Sequence, residues 1–168
     1  MNYIREQIPL ESLDQMYAQF TPVPNNQDGN CLFESVAHFH NYWEKTEESA
    51  KQIRRMVSDF YDNTLNQQQY HQDTIESFLL DLLDYETSHS LTTHQDKIKY
   101  DGIYGSVCDL IAAALLLKFN FDLYMKLSDG TFMLYQISMP NTNRTHAFYY
   151  SGCDVYNAIM PLNPNETR

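Results

Sequence analysis

An α+β fold is the class this sequence predicts, on three observations. Helical periodicities come first, alternating patterns crowd toward the end, and an Asp129-Gly130 pair between two alternating runs marks a hairpin. The chain has 168 residues, 43% hydrophobic and 14% aromatic, enough for a buried core without disulfide staples. One domain over residues 1–168 is expected, with its core at about 21–160.

Residues 10–20 read as a short helix, closed by the stiff polar run Thr21-Pro22-Val23-Pro24-Asn25-Asn26. From Cys31 onward, Leu32, Phe33, Val36, Ala37 and Phe39 make one broad apolar face of a helix ending near His40. Thr46-Glu47-Glu48 starts another, with Ile53, Met56, Val57 and Phe60 at helical spacing. Ile75, Phe78, Leu79, Leu82 and Leu83 mark a further helix. Residues 86–102 hold Ser, Thr, His, Lys and Gly without periodicity and predict a mobile surface loop. A buried helix follows over residues 106–118. Strands are expected at 121–127, 131–138, 145–150 and 155–160, forming a mostly antiparallel C-terminal sheet, with a frayed tail from Pro161.

Composition excludes several function classes. With 11 basic and 22 acidic residues the net charge is −11, which argues against nucleic acid as a partner. The cysteines at 31, 108 and 153 are odd in number and widely spaced, which suits a reducing, cytoplasmic compartment rather than a disulfide framework. No Cys-x-x-Cys pair is present, so a structural zinc site is not expected. The first residues lack the character of a signal peptide, and the longest apolar run, 110–117, is too short for a bilayer, so a soluble protein without membrane contact is expected.

The most informative segment is Gln27-Asp28-Gly29-Asn30-Cys31-Leu32-Phe33-Glu34-Ser35. It puts a thiol where a polar turn enters an apolar helix. Asp28 and Asn30 are turn and N-cap formers, and Gly29 allows unusual backbone angles. A thiol in the first turn of a helix meets unpaired N–H groups and the positive end of the macrodipole, which favour thiolate. The backbone of Asp28, Gly29, Asn30 and Cys31 also offers donors for an oxyanion. The plainer reading, a packed core cysteine, does not explain the polar hinge before it.

A nucleophilic thiol needs an imidazole within hydrogen-bond reach. His38 is seven residues along the same helix, roughly 10 Å away, and His40 faces nearly the other way. His71, His89 and His94 lie in polar surroundings. His146 falls in Thr145-His146-Ala147-Phe148-Tyr149-Tyr150, a strand that would hold a ring rigidly, either as a base or as a packed sheet residue. Asp28, Asn141 and Asn143 are candidates to orient it.

These residues resemble the ovarian-tumour (OTU) family of cysteine peptidases, which are deubiquitinases. Asp28-Gly29-Asn30-Cys31-Leu32-Phe33 with Ser35 matches the family's nucleophile motif. Tyr104-Gly105 leading into Asp109-Leu110 is similar to its Trp-Gly, acidic residue and Leu before an alanine-rich helix. His146 with Phe148-Tyr149 is similar to its late histidine on a strand followed by aromatics. The matches run from Gln27 to about Ile159. There are departures. Phe148 stands two residues after the histidine, where members often carry Asp or Asn; Tyr104 replaces Trp; residues 46–85 match no motif.

The resemblance implies an OTU-like, papain-superfamily catalytic domain. It implies a thiol hydrolase that cleaves the isopeptide bond after ubiquitin's C-terminal glycine. Cys31 would attack, His146 would act as base and then acid, and Asp28 or a nearby Asn would orient the ring. The Gly29 and Asn30 N–H groups would hold the oxyanion, and Tyr104 and Gly105 would line the tail channel. Ubiquitin, polyubiquitin or a ubiquitin-like protein would be the partner, with no metal or cofactor. High Asn, Gln and Tyr usage suits a viral or bacterial effector in host cytosol. Two other readings stand beside this one: a catalytically silent ubiquitin-binding module, and a papain-like enzyme on another substrate.

Overall fold

The structure, a computed structural model, describes residues 4–65, 91–140 and 142–162. Among these, six strands form one mixed sheet. They are β1 (Ile4–Leu10), β2 (Phe20–Pro22), β3 (Asn120–Lys126), β4 (Phe132–Ile137), β5 (Thr145–Gly152) and β6 (Val155–Pro161). Their order across the sheet is β1-β4-β3-β5-β6-β2. The β3–β5 pair is parallel, with Phe121 opposite His146 and Leu123 opposite Phe148, and the other pairs are antiparallel. The helices are α1 (Asp14–Gln19), α2 (Cys31–Glu44), α3 (Ala50–Phe60), α4 (Leu91–Ile98) and α5 (Val107–Leu117). The α+β class holds.

Its distribution along the chain differs from expectation. The expected helix over 10–20 is shorter, and it is bracketed by β1 and β2, which close the two edges of the sheet. Arg5-Glu6-Gln7 breaks any apolar alternation in β1. Its pairing with β4 is therefore a tertiary choice, and Pro9 is tolerated because the strand is at the edge. The expected loop at 86–102 contains α4. Its sequence is polar, and tertiary anchors hold it: Ile98 is fully buried and His94 is paired to Asp109 on α5. The helix expected around Ile75–Leu83 lies outside the described residues, as do His71, His89 and Asn141. Residues of the tail up to Pro161 belong to β6.

Helix α2 crosses one face of the sheet. Leu32, Phe33, Val36 and Phe39 pack with Phe121, Leu123 and Phe148 in the main core, and α5 adds Leu110, Ile111 and Ala114. A smaller cluster of Met16, Tyr124, Leu134, Ala147 and Ile159 covers the other face. This packing fixes the start of α2 beside the start of β6. Among the described residues no helix is long and apolar enough to cross a membrane.

Candidate active site

Cys31 is the first residue of α2, as expected, and Asn30 is its N-cap residue. The turn before it is locked by Asp28, whose Oδ1 accepts the Asn30 N–H at 2.9 Å and whose carbonyl accepts the Cys31 N–H at 3.0 Å. Asn30 does not cap the helix with its side chain. Its Oδ1 instead accepts from Arg54 Nη2 at 2.6 Å and from the Gly102 N–H at 3.2 Å. Gly29 has no left-handed backbone; it is glycine because a Cβ there would collide with the Gly102 carbonyl.

Arg54 builds this corner, and the sequence reading missed it. The residue is 2% exposed, and its guanidinium donates to the carbonyls of Gly29, Ile98 and Ile103 while lying 4.4 Å over the Phe33 ring. The available signal was its place three residues before Val57 and seven before Tyr61, on the buried face of α3.

The sulfur itself is enclosed. Cys31 is 1% exposed, its thiol donates to the Asp154 carbonyl at 3.5 Å, and its Sγ accepts the Tyr156 N–H at 3.3 Å. Burial pushes the thiol pKa above its ordinary value; the Tyr156 and Leu32 backbone N–H groups pull it down, and the Asp28 and Glu34 carboxylates push it up again. Burial is the largest of these influences, and its direction is opposite to the one the helix terminus favours.

His146 does not meet this sulfur. Its ring stacks on Phe39 at 4.4 Å and leans on Phe119 at 4.6 Å. Phe39 is eight residues along α2 from Cys31, about 12 Å of helix. On the sheet, His146 precedes Tyr150, the partner of Tyr156, by four residues, about 13 Å of strand. Burial, helped by the Arg144 charge, lowers the ring's pKa to about 3, so it is a neutral core aromatic. The assignment of His146 as base is corrected on this geometry. Asp28, engaged in its own turn, does not orient it, and Asn143 is exposed. The Asn30 N–H, expected in the oxyanion hole, is taken by Asp28.

The strand that does meet the sulfur is β6. Its first residue, Val155, is bonded directly to the Tyr156 amide that donates to Sγ. Val155-Tyr156-Asn157 opens this strand, with Tyr156 and Asn157 buried. Asn157 Nδ2 donates to the Val23 carbonyl at 2.9 Å.

Of the remaining expected residues, Tyr104 is exposed and its hydroxyl donates to the Gln27 carbonyl at 3.4 Å. Gly105 lies against Leu32 and Asp109. The adjacent motif residue Asp109 is fully buried. It accepts from the Tyr61 hydroxyl at 2.7 Å and the Ser106 N–H at 2.8 Å, and pairs with His94 at 2.7 Å. Burial alone would lower the His94 pKa, but the Asp109 charge and hydrogen bond outweigh it and lift it to about 11.

No protein-family model and no curated protein sequence matches the chain. Solved structures do. The OTU domain protease of Taggert virus is 16% identical with a TM-score of 0.59, over 94% of this chain and 86% of that one. The Hazara virus OTU bound to ubiquitin is 12% identical with a TM-score of 0.58, over 94% and 89%. An OTU deubiquitinase from Wolbachia pipientis is 10% identical with a TM-score of 0.56, over 89% and 91%. At these identities the likeness is one of architecture. The chain has the OTU fold.

Proposed function

We propose that this chain is an OTU-fold module that binds ubiquitin, or a close relative of it, without hydrolysing it through a Cys31–histidine pair. One observation carries the reading. The sulfur is held between the Asp154 carbonyl and the Tyr156 N–H, and Val155 occupies the strand position beside it. A buried, hydrogen-bonded thiol with no imidazole beside it among the described residues is a poor nucleophile. Partner binding is supported by the Hazara virus neighbour, solved with ubiquitin. It is also supported by a groove of about 390 Å³ whose lining includes Val107, Met125, Tyr150 and the two residues that hold the sulfur, Asp154 and Tyr156. The three cysteines are free thiols, which fits a cytoplasmic site of action, and the viral and Wolbachia neighbours fit an effector in a host cell.

A second reading, a deubiquitinating thiol hydrolase, is favoured by the protease neighbours and by the intact Asp28-Gly29-Asn30-Cys31 turn. It needs an imidazole from outside the described residues, where His71 and His89 lie. Two measurements separate the readings: a binding titration with ubiquitin, and incubation with a panel of di-ubiquitins. Saturable binding without cleavage is expected. Cleavage of any linkage that Cys31→Ala abolishes would establish the hydrolase instead, and absence of binding would remove ubiquitin as partner.

A further inference from the structure

We infer that Cys108, Asp109 and His94, brought together where α4 meets the start of α5, form a binding site for one zinc-class divalent ion. The sulfur, a carboxylate oxygen and an imidazole nitrogen all lie within 4.8 Å of one another. Cys108 and Asp109 are fully buried, and the His94 side chain is 15% exposed, leaving one side open for entry. Thiolate, imidazole and carboxylate together suit Zn²⁺, whereas Mg²⁺ and Ca²⁺ prefer oxygen alone.

The surroundings are those of a supported site. Ser106 Oγ stands 2.8 Å from the Cys108 sulfur and 3.4 Å from His94 Nε2, where a hydroxyl or water would complete four ligands. The Tyr61 hydroxyl and the Ser106 N–H both donate to Asp109 and fix the carboxylate's direction. Zinc bonds of about 2.0–2.3 Å imply ligand separations of roughly 3.3–3.6 Å. The His94–Asp109 contact is 2.7 Å. Entry of the ion would therefore open that contact by roughly half an ångström, within the reach of a side-chain adjustment. As the ion enters, the Cys108 thiol proton and the Nε2 proton pass to solvent, and the freed lone pairs on sulfur and nitrogen bind the metal.

Sequence spacing hides such a site. Cys108 and Asp109 are adjacent on one helix, and His94 comes from another that the polar composition concealed. The ion would tie α4 to α5 beside the segment that Arg54 holds against the cysteine turn, giving it a structural role independent of peptidase chemistry.

The test uses the full chain, stripped with chelator, then titrated with Zn²⁺ and separately with Co²⁺ as a spectroscopic stand-in. Uptake of one equivalent, a thiolate-to-cobalt charge-transfer band and a melting midpoint raised by roughly 5 °C are expected. His94→Gln and Cys108→Ser should each abolish the band and the shift, and the double change Cys31→Ser with Cys153→Ser should keep both. No uptake, uptake without a thiolate band, or a band that survives His94→Gln overturns the proposal. His94 is partly exposed, so that variant serves even if Cys108→Ser fails to fold.

Discussion

Two places along helix α2 lie against the two groups that a thiol peptidase would unite, and they differ in kind. At its start, Cys31 has the turn, the helix terminus and the neighbouring strand, but no imidazole among the described residues. About two turns farther along, His146 has a rigid strand and a close-fitting pocket, but its neighbours are Phe39 and Phe119. A motif sets local geometry within a few residues. It does not set which strand arrives beside it, and β5 delivers its histidine to Phe39, about 12 Å along the helix. The comparison teaches that motif order along a chain is weaker evidence than the register of the sheet beneath it.

The largest expected effect concerns what holds the Cys31 end together. Arg54→Met removes donors to three carbonyls and to Asn30, leaving buried acceptors unpaired. Unfolding in urea should show a loss of about 3–5 kcal/mol. A loss below about 1 kcal/mol would mean the turn keeps its shape without that hub.

The second prediction puts a ring where the sulfur is. Val155→His should raise hydrolysis of a ubiquitin C-terminal amide by roughly 10²-fold over the parent, as general bases typically do. The gain should vanish on adding Cys31→Ala. Unchanged turnover would show that more than one missing imidazole silences the site.

The third addresses the other place. Protonating His146 costs the folded state, because its pKa is lowered from 6.5 to about 3. The unfolded chain therefore binds more protons between those values, and stability is full above the upper one and falls as pH drops below it. Between pH 7 and pH 5 the loss from this ring is about 2 kcal/mol, and His146→Phe should flatten that part of the stability profile. An identical slope in both proteins would put the acid sensitivity elsewhere.

The smallest effect is the sharpest for function. Cys31→Ala should change ubiquitin affinity by less than about twofold, since a module that only binds does not use the thiol. A change of tenfold or more would return the sulfur to the centre of recognition.

Much of this molecule was legible in its residues. The periodicity of Leu32, Phe33, Val36 and Phe39 placed α2, the Asp129-Gly130 pair placed the β3–β4 hairpin, and the alanine-rich run placed α5. β1 and α4 were not legible, because each is polar in sequence and is held by partners distant along the chain. In the site, the cysteine turn was readable and its base was not. An aromatic-flanked histidine on a strand looks the same in sequence whether it faces a thiol or a phenyl ring. Arg54 was hidden for a related reason, since a buried cation on an apolar face is visible only through the carbonyls that surround it.

The chain by itself determined the α+β class, the helix that begins at Cys31 and the polar turn before it. Those depend on local backbone preference and on the spacing of apolar residues, which act over a few residues. Only the tertiary structure decided that β6 rather than β5 meets the sulfur, that burial pushes the thiol's pKa up, and that His94, Cys108 and Asp109 share one small volume. Those outcomes depend on sheet register and on exclusion of water, and both are properties of the packed chain as a whole.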